Sequence, residues 1–186
     1  MTTEVPQATR TQWSLDPAHT LVEFTAKHMM ITNVRGHFTD VEGSISIDRE
    51  HPEESSVEAR IDPVSLTTGV VDRDNHLRSA DFLDTEQYPE IRFRSTKITG
   101  GYQQPGDSFI VTGDLTIGPT TRPVTLTVAF EGEGKDLVGA TRVSFAADTT
   151  IDRRDFGLTW NKALEAGGVL VSNEIRIHIE AQAVAV

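Results

Sequence analysis

The sequence predicts an all-β protein whose strands close on one another as a barrel or sandwich, and three observations carry that prediction. Five segments, 21–27, 45–47, 57–61, 124–130 and 175–181, alternate apolar and polar residues with a period of two. Side chains on a strand point to opposite faces in turn, so each segment has one dry face and one wet face. Polar or glycine-rich turns recur between them, as at Gly100-Gly101, Gly118-Pro119-Thr120 and Glu131-Gly132-Glu133-Gly134, in the manner of antiparallel sheet. Finally, only 37% of the 186 residues are hydrophobic, a share that suits sheet wetted on one side.

The elements follow in order. Residues 1–10 are polar, carry Pro6 and read as a disordered arm, ahead of one domain over 11–186. A short strand at 13–16 is turned by Asp16-Pro17-Ala18-His19 and followed by a strand at 20–28. The next strand, 35–48, changes apolar parity between Phe38 and Val41, which is the mark of a β-bulge near Asp40. After a turn at 52–56 comes a strand at 57–62. The period of two is then lost over 70–90, where Val70, Val71, Leu77, Ala80, Phe82 and Leu83 suit a short helix or two helical turns, ended by Tyr88-Pro89. Asp72 and Asp74 lie where the helix dipole favours acid. Strands resume at 91–98, 108–117, 123–131, 136–149 and 169–183, and the long connection 151–168 is of the kind that often carries function.

Composition excludes several classes. The net charge is −11 and Lys and Arg are not clustered, which argues against nucleic acid and against a polybasic grip on anionic lipid. The absence of cysteine removes disulfides, thiolate metal sites and a cysteine nucleophile. No run reaches the roughly 20 apolar residues of a membrane-spanning helix. Residues 1–12 lack the apolar core of a secretion leader, so the cytoplasm is the expected compartment. The histidines at 19, 28, 37, 51, 76 and 178 show no tight ligand spacing, and neither metal nor cofactor is expected.

Two polar clusters invite a catalytic reading. Asp72-Arg73-Asp74-Asn75-His76 puts acid, base and cation within one helical turn, and Asp152-Arg153-Arg154-Asp155 lies in the long connection. An enzyme acting on a ligand head group through Asp74, His76 or Arg153 is one alternative. No Gly-x-Ser-x-Gly or recognisable glutamate pair supplies a nucleophile, and a structural ion-pair network is preferred. A second alternative is a stress-associated interaction protein with a filled core.

The dry face is the remaining candidate. If strand parity holds, Val22, Phe24, Ala26, Ile45, Val57, Ala59, Ile61, Phe93, Phe109, Val111, Leu126, Val128 and Phe145 share it. Small residues such as Ala26, Ala59, Gly113 and Ala147 leave room inside a wide barrel, and space lined this way suits a lipid tail. Phe82, Trp160 and Leu164 complete the candidate apolar lining, with Trp160 either a lid or a core filler. His28, Arg73, His76 and Arg153 are the candidate polar groups at its mouth.

The ordered series His19-Thr20-Leu21-Val22-Glu23-Phe24, Val34-Arg35-Gly36-His37-Phe38, Arg73-Asp74-Asn75-His76-Leu77-Arg78-Ser79-Ala80-Asp81-Phe82, Tyr88-Pro89-Glu90-Ile91-Arg92-Phe93, Gly113-Asp114-Leu115-Thr116-Ile117 and Arg153-Arg154-Asp155-Phe156-Gly157 resembles the YceI-like family of lipocalin-like, polyisoprenoid-binding proteins. The likeness runs from Trp13 to about Val184. It implies an extended eight-stranded antiparallel barrel with a short helical insertion. It also implies an isoprenoid tail, of a polyprenyl phosphate or quinone, in the interior. A carrier, storage or sequestering protein without catalysis is the expected role. Pairing into a homodimer through exposed sheet surface is left open.

Overall fold

The computed structural model describes residues 10–186, so the expected arm lies outside the described residues except for Arg10, which opens the first strand. The strands are β1 (Arg10–Leu15), β2 (Leu21–His28), β3 (Thr32–Phe38), β4 (Val41–Asp48), β5 (Ser56–Ile61), β6 (Leu66–Thr67), β7 (Ile91–Thr99), β8 (Ser108–Ile117), β9 (Thr120–Lys135), β10 (Thr141–Asp152) and β11 (Glu174–Ala185). One helix, α1 (Val71–Arg78), sits between β6 and β7. Pairing in the order β1-β4-β5-β7-β8-β9-β10-β11 returns to β1, closing a ring of eight antiparallel strands. From β11 the sheet also continues through β2 and β3 to β6.

The three extra segments are halves of broken strands. β1 and β2 are two lengths of one strand along β11, β3 and β4 are two lengths of the next, and β5 and β6 of the third. The interruptions at 16–20, 39–40 and 62–65 lie side by side, so the sheet is creased across three neighbouring strands. Side chains replace the missing ladder bonds there. Ser65 Oγ accepts from the amides of Thr39 and Asp40, each at 3.1 Å, and donates to the Asp62 carbonyl at 2.7 Å. Asp16 accepts from the Ala18 amide at 3.0 Å and from Arg142 at 2.5 Å.

Past the crease the third strand fails to reach its neighbour: β5 pairs with β7, whereas β6 pairs only with β3. The insertion over 70–90 covers the resulting gap. It is riveted to β6 and its flanks by polar side chains. Asp74, buried, accepts from Thr68 N at 2.8 Å and Thr68 Oγ1 at 2.5 Å. Arg73 donates to Thr68 Oγ1 at 2.7 Å, and Arg78 donates to the carbonyls of Val64 and Leu66.

Several expectations need correction. Val70 and Val71 are 47% and 73% exposed, and only Leu77, Phe82 and Leu83 of the helical stretch turn to the barrel interior. The first helical turn is capped by no side chain, because Asp74 faces Thr68 instead. Residues 136–140 form a turn rather than strand, since Asp136 Oδ1 takes the amides of Val138 and Ala140, both at 3.0 Å. The last strand begins at Glu174 rather than 169, because the preceding residues pair with the long connection.

Candidate functional site

Alternation places one face of every strand inside the barrel, and the interior is not uniformly filled. Trp13, Val41, Leu66, Val143 and Ala183 are fully packed. Other inward residues, among them Phe24, Ile45, Val57, Ala59, Ile61, Phe93, Ile175 and Ile177, remain only partly buried. Inward side chains with accessible surface must face a void, and the void is a cavity of about 330 Å³ walled almost entirely by carbon.

The cavity runs the length of the barrel. At one end it reaches Ala26, Leu77, Phe82, Leu158, Val171 and Ile175, beneath the helical insertion and the long connection. At the other it reaches Asp48, Arg49, Pro52, Gly101 and Tyr102. A twelve-residue strand such as β10 is about 40 Å long, and strand tilt leaves a barrel axis of roughly 30 Å. The interior is therefore shaped for something long and thin.

Two glycines keep it wide. Gly36 on β3 faces Phe24 on β2, and a Cβ at position 36 would lie 2.3 Å from Phe24 Cζ. A Cβ at Gly113 would lie 2.4 Å from Phe93 Cζ. The tip of each ring fills the space a side chain at the glycine would take, a glycine use that only close approach requires.

The far end is stoppered by aromatics. The Tyr102 ring stacks on Phe130 at 4.3 Å and Phe109 at 5.7 Å and meets Phe145 edge-on at 5.4 Å. The Arg49 guanidinium lies 5.7 Å from the Tyr102 ring centroid and pairs with Glu133. Among the described residues, Tyr102 Oη is the one buried side-chain polar atom without a hydrogen-bond partner, and burial pushes the phenol pKa up. An orphaned hydroxyl of this kind costs about 1–3 kcal/mol.

The helical end is built around Arg153, buried at 3% exposure and lining the cavity. Its Nε donates to the Ser172 carbonyl at 2.9 Å, and one terminal nitrogen donates to the carbonyls of Leu158 at 2.6 Å and Trp160 at 2.9 Å. Desolvation pulls its pKa below the ordinary arginine value. The side chain folds the long connection around itself and needs no carboxylate partner to do so.

Fourteen of the sixteen apolar candidates surround the cavity: Val22, Phe24, Ala26, Ile45, Val57, Ala59, Ile61, Phe82, Phe93, Phe109, Val111, Leu126, Val128 and Phe145. Trp160 and Leu164 do not. Trp160 packs outside the wall, edge-on to His76 at 4.6 Å and against Phe82 at 5.3 Å, and so clamps the long connection to the insertion. Leu164 sits in a small hairpin bridged between Ala163 and Val169. Of the four polar candidates only Arg153 reaches the cavity. His28 is exposed where β2 leaves the wall, Arg73 serves Thr68, and His76 Nε2 contacts Asp81 Oδ2 at 2.8 Å. Sequence reasoning passed over Tyr102, Leu77, Leu83 and Leu158 as lining residues. The Gly100-Gly101 pair before Tyr102 was the one available signal, since it lets the chain fold an aromatic back over an opening.

A closed antiparallel barrel with a long apolar interior defines the lipocalin-like class of barrels. A family model described as a YceI-like domain matches residues 13–183, and the chain belongs to that family. A UPF0312 protein of Pseudomonas putida is 37% identical over 154 residues, covering 82% of this chain and 79% of its own. Among solved structures, BcnA of Burkholderia cenocepacia superposes with a TM-score of 0.77 at 23% identity, over 90% of this chain and 98% of its own. A domain from Saccharophagus degradans, described as polyisoprenoid binding and implicated in plant cell wall breakdown, superposes with a TM-score of 0.67 at 16% identity, over 94% and 98%. At these identities the two structures speak to fold.

Proposed function

We propose that this protein binds a long-chain isoprenoid lipid, of the polyprenyl phosphate or quinone type, inside the barrel and carries or sequesters it without chemical change. The carrying observation is the dry cavity of about 330 Å³ that runs from Arg153 at one end to Tyr102 at the other. A tail gains roughly 0.8 kcal/mol per buried methylene, so each five-carbon unit contributes about 4 kcal/mol before the costs of ordering. That burial needs no charged head group. The description of the Saccharophagus degradans domain supports the same ligand class.

The enzymatic alternative is the weaker one. Asp74 is committed to Thr68, and Arg153 is committed to three backbone carbonyls. His76 faces Asp81 and two aromatic rings on the outer side of the insertion, away from the cavity. Hydrogen bonds of this kind fix loops and leave little to move a proton on a ligand.

Native mass spectrometry of freshly purified protein, followed by organic extraction, tests the proposal. The expected result is release of a polyisoprenoid unaltered by incubation with the protein. Protein that carries no lipid and also rejects added polyprenyl phosphates and isoprenoid quinones overturns it.

A further inference from the structure

A buried tail must be collected from somewhere, and the surface of the barrel singles out one place. The turn between β2 and β3 carries Met29, Met30 and Ile31, which are 44%, 53% and 77% exposed. Met29 and Met30 both have left-handed backbone, with φ of 51° and 63°. Two consecutive positive-φ positions are ordinarily given to Asn, Asp or Gly, and longer side chains there cost backbone energy. Here strain is accepted while three large apolar side chains are held out in solvent. Such an outlier points to use of the side chains.

Charge distinguishes this turn from other exposed apolar spots. The chain has a net charge of −11, yet no acidic residue occurs between Glu23 and Asp40, and Lys27 and His28 adjoin the turn, whereas Arg35 and His37 lie further along β3, where His37 pairs with Glu23. The neighbouring backbone adds to it. Met29 N–H donates to the Leu170 carbonyl at 2.7 Å, and Leu170 N–H donates to the Lys162 carbonyl at 2.9 Å, which brings exposed Lys162 to the same rim, with exposed Glu165 at the turn of that hairpin. By contrast, Leu137 and Val138 on the opposite end, 107% and 89% exposed, are flanked by Lys135 and Asp136 and have no such bias. Val70 and Val71 run into Asp72.

The turn is also continuous with the cavity. Ala26, two residues before His28, lines it, and so does Val171, which bridges to His28. Apolar side chains fringed by amines fit the boundary between lipid head groups and acyl chains, where the tips insert and the ammonium groups meet phosphate.

We propose that the Met29-Met30-Ile31 turn is a membrane-insertion tip that seats this end of the barrel on a lipid bilayer, from which the isoprenoid tail passes to the cavity. The inference rests on the proposed ligand class for its cargo, but the docking itself does not. Because the grip is apolar insertion rather than a basic patch, it acts on zwitterionic bilayers and resists salt.

The test uses the full chain and vesicles of pure dioleoylphosphatidylcholine, with and without dansyl-labelled solanesol. The variant Met29→Asn/Met30→Asn/Ile31→Thr suits left-handed backbone, so its melting temperature is expected to hold or rise. Sedimentation of unliganded protein with vesicles is expected to weaken about tenfold in the variant, as is the rate of labelled-lipid uptake from vesicles. Uptake from detergent solution is expected to match the wild type. Unchanged sedimentation and transfer in the variant overturn the tip, as does a variant that loses self-association while still sedimenting normally. If neither protein takes up labelled lipid from detergent while wild type still sediments, the ligand reading fails and the docking stands.

Discussion

The width of the interior depends on Gly36, and adding a single methyl group there tests the whole argument. In Gly36→Ala the new Cβ would lie 2.3 Å from Phe24 Cζ, 2.8 Å from Phe24 Cε1 and 2.8 Å from Thr68 Cγ2. All three are side-chain atoms, so relief comes from the ring rather than from a shift of the sheet. Carbon atoms rest about 3.7 Å apart, so the ring must retreat by roughly 1.4 Å. Phe24 lines the cavity, and the direction open to its ring is inward. The retreat displaces space for about two methylenes, worth roughly 1.5 kcal/mol, and the isoprenoid dissociation constant rises about tenfold. Unfolding stability falls by about 1 kcal/mol through imperfect repacking. Competition titration against labelled solanesol and urea unfolding read the two effects. The double variant Gly36→Ala/Phe24→Leu removes most of the clash and is expected to recover affinity. Wild-type affinity in Gly36→Ala, within about twofold, would refute the assignment of Phe24 as a wall of the binding space.

Three other perturbations test separate parts of the barrel. Ala59→Phe sends a ring into the cavity from β5, and is expected to raise the melting temperature of the unliganded protein by a few degrees while abolishing lipid uptake, as read by calorimetry and extraction. Arg153→Met strips the donors from three backbone carbonyls and is expected to cost roughly 3 kcal/mol in urea unfolding, with Arg153→Lys recovering little because an ammonium cannot span the three. Asp16 is held at a pKa of about 2 by its hydrogen bonds to His19 and Arg142. A depressed carboxylate stabilises the fold above its ordinary pKa and loses that contribution as pH falls from about 4 to about 2, so Asp16→Asn is expected to flatten the acid limb of a stability-pH curve by about 1 kcal/mol after screening.

Much of the architecture is legible along the chain because a strand repeats every two residues. The runs at 124–130 and 175–181 locate β9 and β11, and the parity change at Asp40 locates the break between β3 and β4. Loss of the period over 70–90 marks α1 for the same reason. Parity also brings thirteen lining candidates to the cavity, with Phe82 of the insertion the fourteenth. What it cannot carry is closure: a barrel and a sandwich share the same alternation, and the difference lies in register between distant strands such as β1 and β11. Nor does it follow side chains that leave the regular elements. Trp160 and His76 meet across the insertion and the long connection, and Tyr102 turns back from a loop, through contacts that no local pattern encodes. The two-residue β6 is too short to alternate at all.

The aligned interruptions in the sheet divide the wall into unlike halves. β7 to β11 are each one continuous strand, bulged only near Ser95 and Ser144, whereas the remaining three strands are jointed at one level and held there by Ser65, Asp62 and Asp16. A tube with one jointed side changes girth by flexing along that line without parting its ladders. Guests of differing thickness, methyl-branched or smooth, are then accommodated by hinge motion on one flank, and amides beside the joint exchange hydrogen sooner than those of the opposite flank.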